Sequence, residues 1–222
     1  MTVTRWRRSW AGVLAALLLA SCASTPPSAV PPSPSSSAAA SQPALCPSPG
    51  AATASSSLPS SPSPQQGLLL DEVRFIPAAG DAAFVEISNS TSTAIDATGT
   101  RLRVDGKDFP LGGGSLPVGP GSQVVVSFDT PGSTDHPGIR APSGFALAPE
   151  GSTVELLDGS GRGLDCVAWA RGRAGAVSLG AGAIDPGATI GRPPGANHPY
   201  LPTDWVVYPP ALASPGRPNP AP

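Results

Sequence analysis

Proline and glycine interrupt this chain so often that long helices have no room to form. Of 222 residues, 30 are Pro and 26 are Gly. Between Leu68 and Asn219 the only run longer than nine residues without either is Asp81–Thr98. That run itself contains Asn89-Ser90-Thr91-Ser92-Thr93, a turn-forming cluster. A helical bundle, a coiled coil and a doubly wound α/β enzyme all need longer uninterrupted helices, so the sequence excludes them. Short strands joined by tight turns remain.

The composition is segmented. Residues 23–67 hold no charge and no aromatic, whereas all 15 acids and every aromatic beyond residue 10 lie between Asp71 and Tyr208. In residues 1–21, Arg5, Arg7 and Arg8 precede the apolar run Trp10–Ala20. A bilayer span needs about 20 apolar residues, so this run fits the core of an export signal instead. It ends Leu19-Ala20-Ser21-Cys22, which resembles a bacterial lipobox. The resemblance implies cleavage before Cys22, a diacylglyceryl group on its thiol and a further acyl chain on the freed amine. Two or three chains hold a protein on a membrane where one does not. The expected location is the bacterial cell envelope, with the rest of the chain outside the cytoplasm and the membrane as a partner through the lipid. Cleavage leaves ten cations against 15 acids, a net charge of −5. A chain of that sign has no electrostatic reason to seek nucleic acid.

Residues 22–67 read as the lipidated Cys22 followed by a tether. Eleven Pro, 14 Ser and nine Ala fill most of 23–67. Such a stretch cannot bury enough apolar surface to offset its ordering entropy. It is expected to be a semi-extended spacer, open to glycosylation on its hydroxyls.

Residues 68–219 are long enough for one core. Strands are expected at Leu68–Ile76, Phe84–Ser88, Arg101–Val104, Phe109–Leu111, Gln123–Phe128, Phe145–Leu147, Thr153–Leu157 and Gly163–Trp169. Asp105-Gly106 and Asp158-Gly159-Ser160-Gly161 mark hairpin turns. The fold class is all-β, a β-sandwich.

The order of motifs resembles a lamin-tail domain. The likeness runs through Leu70-Asp71-Glu72-Val73, Phe84–Asn89, Ile95–Leu102, Leu116–Gly121 before Gln123–Asp129, and Ser152–Asp158. It continues through Thr189-Ile190-Gly191-Arg192, Asp204-Trp205 and the exit Ser214-Pro215-Gly216-Arg217-Pro218-Asn219. The family implies an immunoglobulin-like sandwich, either appended to secreted nucleases or phosphoesterases or carried on surface proteins as a non-catalytic module. Two departures stand out. Thr100 replaces the usual aromatic after Gly99, and residues 135–195 carry extra Gly/Pro-rich loops.

The chemistry-bearing residues are few. Glu86 and Asn89 are read as a structural turn network at a strand end, Glu86 accepting from loop amides and Asn89 closing an Asx turn. No second acid or His at a nearby spacing makes Glu86 catalytic. His136 and His198 each adjoin Pro with no ligand partner nearby, so neither a metal nor a cofactor is expected. In Asp158–Asp165, Arg162 takes a position where a calcium loop needs oxygen. Ala176-Val177-Ser178-Leu179-Gly180 mimics a nucleophile elbow, but no helix can follow it, and it is read as loop. Arg101 and Arg103 form a basic face, with Arg171 and Arg173 elsewhere, read as solvated rather than polymer-binding.

The leading expectation is therefore a tethered, non-catalytic binding or scaffolding domain with an extracytoplasmic protein or glycan ligand. The alternative is an adhesion or cell-wall glycan-binding lipoprotein, with exposed Trp205 or Tyr200 stacking on sugars. A hydrolase or nuclease accessory ranks last. Once Cys22 is acylated, Cys46 and Cys166 are an even remainder in an exported chain, which favours a disulfide. If Trp169 points into the core, Cys166 lies on the outer sheet face within reach of the tether. The other arrangement turns Leu164 and Ala168 inward and leaves Cys166 a buried free thiol.

Overall fold

The computed structural model describes Cys46, Ser63 and residues 65–128, 138–180 and 183–222. The signal segment 1–21, Cys22, most of the tether and His136 lie outside the described residues. The described residues form an all-β fold in which helix is confined to two single 3-10 turns, Pro202–Asp204 and Pro210–Leu212. In chain order the strands are β1 (Leu68–Arg74), β2 (Ala83–Asn89), β3 (Ile95–Asp96), β4 (Arg101–Val104) and β5 (Lys107–Pro110). Then come β6 (Pro117–Val118), β7 (Gln123–Phe128), β8 (Ile139–Arg140) and β9 (Gly151–Leu157). The last are β10 (Gly163–Ala170), β11 (Val177–Ser178), β12 (Thr189–Gly191) and β13 (Val206–Tyr208).

These strands make two large sheets, β13-β12-β1-β2-β7-β8 and β11-β10-β9-β4-β5, and the small pair β3-β6. One apolar cluster draws on the inner faces of both large sheets, so the architecture is a sandwich. The first sheet contributes Leu68, Leu70, Val73, Val85, Ile87 and Val126; the second contributes Leu102, Val104, Val154, Leu156, Val167 and Trp169. Trp169 is fully buried, stacks on Phe75 at 5.1 Å and donates its indole N–H to the Ala148 carbonyl. The alternation on β2 works as the sequence pattern requires. Val85 and Ile87 enter the core, while Phe84, Glu86 and Ser88 line the outer face.

Turn chemistry fixes the hairpins. Asp105 and Gly106 both take positive φ, 47° and 81°, which is the backbone a two-residue turn between right-twisted strands demands. Asp158 organises the β9–β10 turn by accepting from the Ser160 and Arg162 amides and the Ser160 hydroxyl. Three expectations need correction. Phe145–Leu147 is not a strand; Phe145 is held instead by edge-on contact with Phe109. Val177–Ser178 is a short strand, pairing in parallel with Trp169–Ala170, where the sequence reads as loop. Strict alternation along β10 would put Leu164 on the outer face with Cys166, but a bulge between Gly163 and Asp165 turns it into the core cluster. Thr100, where an aromatic is usual, is fully buried and its hydroxyl has no hydrogen bond among the described residues.

Cys46 and Cys166 are joined by a disulfide across a sequence separation of 120. Cys166 pairs opposite Glu155, which in turn lies opposite Arg103, so the bridge sits on the outer face of the second sheet. Closing so long a loop restricts the unfolded chain, by up to about 4.7 kcal/mol for roughly 100 residues in the chain-entropy model. Thiol titration of Cys22-lacking exported protein, denatured without reductant, is expected to find no free thiol. Cys46→Ala combined with Cys166→Ala is expected to lower stability in urea by a few kcal/mol. Two titratable thiols in the unsubstituted pair would contradict the bridge.

Candidate functional site

The outer face of the first sheet is where polar side chains gather, and strand register arranges them in rows. Leu69, Ser88 and Gln123 form one row across β1, β2 and β7. Glu72, Glu86 and Val125 form the next, and Arg74, Phe84 and Ser127 the third. The register slips between Leu70 and Glu72, so Asp71 is the extra residue of a bulge that separates the first two rows.

The middle row is unusual, because two glutamates face each other directly across β1 and β2. Like charges in that position repel. The C-terminal segment covers them and bonds to both. Glu72 accepts from the Thr189 hydroxyl at 2.6 Å and from the Ser214 amide and hydroxyl. Glu86 accepts from the Gly216 amide through one oxygen, while its other oxygen is buried without a partner among the described residues. Asn219 locks the end of this strap by donating to the carbonyls of Asp71 and Arg192. Gly191 lets Asn219 lie close above it, since a Cβ there would be 2.9 Å from the Asn219 amide nitrogen and would push that side chain aside. Glu86 is thus mid-strand, not at a strand end, and its partner comes from the far end of the chain rather than from a neighbouring loop. Asn89 does end β2. It accepts from the Thr91 amide and hydroxyl and donates to the Thr93 and Val118 carbonyls, which closes an Asx turn.

Beside this row sits a buried ion pair that the sequence reading treated only as part of a motif. Arg192 leaves the end of β12, and its guanidinium donates to both oxygens of Asp165 on β10, at 3.0 and 2.9 Å. It also donates to the Leu70 and His198 carbonyls and lies over the Trp205 ring at 4.9 Å. Asp165 accepts from the amides of Leu70, Cys166 and Tyr200. Burial pushes the Asp165 carboxyl up, while Arg192 and the three amides pull it down. Trp205 is therefore buried against Arg192 and is no sugar-stacking platform, and Tyr200 is half-buried.

The first row lies beyond the strap, with Ser88 and Gln123 partly exposed beside the buried Leu69, and floors a cleft. One lobe, of about 170 Å³, is lined by Asp71, Ser88, Gln123, Asn197 and Asn219 with Pro193 and Pro218 as walls. A second lobe, of about 290 Å³, meets it at Ser90 and Asn197 and extends over Leu69 toward Gln66, Arg162 and Pro199. Asp71 is the carboxyl of the first lobe. Burial, aided by the charges of Glu72 and Asp165 against that of Arg192, pushes it up to about 6. The side chains of Gln123 and Asn197 make no hydrogen bond to another described residue.

The other sequence candidates fall elsewhere. Arg101 and Arg103 both pair with Asp108, and Arg103 reaches Glu155 as well. His198 contacts Asp204 at 3.0 Å. Among the described residues no group of three His, Cys, Asp or Glu is placed to hold a metal. No protein-family model matches the chain, and no curated protein matches it in sequence.

The glutamate row makes stability depend on pH. Burial first, then the neighbouring Glu72 and Asp71 charges, push Glu86 from 4.5 up to about 9, against the pull of the Gly216 amide. The folded state thus keeps a proton that the unfolded chain releases. This contribution is full below pH 4.5 and is lost progressively as pH rises through about 9. Denaturant titrations are expected to show stability falling between pH 5 and pH 9, by at most about 1.4 kcal/mol per pH unit from this group. Glu86→Gln is expected to flatten that slope. A Glu86→Gln protein with an unchanged pH profile would remove Glu86 as the cause.

Proposed function

We propose that this chain is a lipid-anchored lipoprotein of the bacterial cell envelope, displaying a non-catalytic, lamin-tail-like binding or scaffolding domain on a Pro-rich tether. The observation that carries the reading is the Cys46–Cys166 disulfide. Such bonds form and persist in oxidising compartments outside the cytoplasm, which is where a lipobox would send the chain. The bridge also fastens a tether residue to the domain, which suits a module held at a set distance from a membrane.

Two further observations support the rest. The motifs that resemble a lamin-tail domain meet in space. Arg192 and Ser214–Asn219 bond to β1 and Trp205 packs on Arg192, which supports the lamin-tail reading. The buried acids Glu72 and Asp165 spend their oxygens on amides, hydroxyls and Arg192, and Glu86 spends one of its two on the Gly216 amide, as structural groups do. The open cleft favours binding over pure scaffolding and keeps the adhesion or glycan-binding alternative in view, without the aromatic signature expected for it.

Lipidation is the part to test first. Labelled palmitate is expected to enter the wild-type protein in cells and to be absent from Cys22→Ala, which would accumulate uncleaved or soluble. Label retained by Cys22→Ala would contradict the anchor.

A further inference from the structure

We propose that the two-lobed cleft on the outer face of the first sheet binds a neutral saccharide, with Asn197, Gln123 and Asp71 as its polar contacts. The inference rests on reading the domain as a binding module and names the ligand class of that module.

The floor excludes the commoner alternatives. Leu69 pairs with Ser88 of β2 and Ser88 with Gln123 of β7, and on the flank of β1 that β12 does not reach, the Leu70 amide and carbonyl are taken by Asp165 and Arg192. These backbone groups are already paired, so an extended peptide has no free edge to join. Apolar anchoring is also slight, since the large aliphatic residues of the lining, Leu68, Leu69 and Leu164, are all buried. A phosphate-rich polymer needs a basic stripe, and the exposed cleft offers Arg162 alone, while Arg192 is buried on Asp165.

What the cleft does present is balanced and short-range. Asp71 stands at one end and Arg162 at the other, so the formal charges cancel. Between them lie the Gln123 and Asn197 amides and the Ser88 and Ser90 hydroxyls. The two amides both donate and accept, as a ligand's hydroxyls do, while the Ser90 hydroxyl donates to the Gly67 carbonyl and that of Ser88 bonds Asp71, which leaves these two as acceptors. Planar carboxylate, amide and guanidinium groups meet neighbouring hydroxyl pairs in a bidentate way. The prolyl rings of Pro193, Pro199 and Pro218 give apolar walls against which the C–H face of a sugar ring packs. Each lobe lies below the roughly 300 Å³ of an ordinary small-molecule site. Two lobes meeting at Ser90 and Asn197 suit consecutive units of a glycan better than one bulky compound.

The experiment is a glycan array of neutral and acidic oligosaccharides probed with the full chain, alongside Asn197→Ala and Gln123→Ala. Asn197 is exposed and Gln123 half-exposed, and neither side chain is needed by the fold, so both variants are expected to melt with wild-type protein. The expected result is retention on neutral glycans, weakened at least tenfold in both variants. Failure to bind any neutral glycan, preference for acidic ones, or binding undiminished in both variants would overturn the proposal. None of those results touches palmitate incorporation at Cys22, so the anchor reading stands or falls separately.

Discussion

The structure is organised around the contact between Asp165 and Arg192. β12 stops at Gly191, and among the described residues β1 runs on toward Leu68 with no strand beside it on that flank. Leu70 would then bury an amide and a carbonyl without partners, a costly arrangement. Instead the Leu70 amide donates to Asp165 and its carbonyl accepts from Arg192, at 2.9 and 2.8 Å. The two side chains stand in for the missing strand. Because Asp165 comes from the second sheet, the same contact ties the two layers together. A buried ion pair is weak evidence for stability on its own, but this one also satisfies backbone groups that have no other partner.

The other outer-face features follow from that junction. Arg192 carries the chain out of β12, and its own carbonyl receives Asn219, which sets the path of the C-terminal strap over the glutamates. Those glutamates are tolerable only as a covered, hydrogen-bonded row, and Glu86 only by keeping its proton. Asp71 occupies the bulge between the covered row and the one that floors the cleft. The boundary of the cleft is therefore set by where the strap ends, at Pro218 and Asn219.

Much of the fold was legible because its cause is local. Breaker density excludes helices, alternation on β2 assigns its faces, and Asp105-Gly106 specifies its hairpin. The two-residue strands β3, β6, β8 and β11 were not legible, since so short a run has no periodicity and is defined by its partner. β12 and β13 are three residues each and suffer the same way. The Leu164 bulge was missed because β-bulges leave no pattern in a run such as Leu164–Trp169. The site divides similarly. Glu86 and Asn89 stood out as polar residues within an apolar strand. Asp165 pairs with Arg192 across 27 residues and Glu72 with Ser214 across 142, and no sequence spacing signals either. Trp205 shows the limit most plainly, because an aromatic near an exit reads as a platform until the guanidinium beneath it is seen.

The measurement that bears most directly on this account is a double-mutant cycle on the ion pair, read by equilibrium urea denaturation at neutral pH. Arg192→Met leaves the buried Asp165 carboxylate without its counter-ion and the Leu70 carbonyl unpaired, while Asp165→Leu leaves the Leu70 amide unpaired and Arg192 with only Asp204, at 3.5 Å, as a counter-ion. Each is expected to cost about 3–5 kcal/mol. The double substitution removes both charges but still orphans both Leu70 groups, so it is expected to remain destabilised by about 2 kcal/mol or more. A double mutant as stable as wild type would mean that the pair does not serve the β1 backbone, and single mutants within 1 kcal/mol of wild type would contradict the account outright.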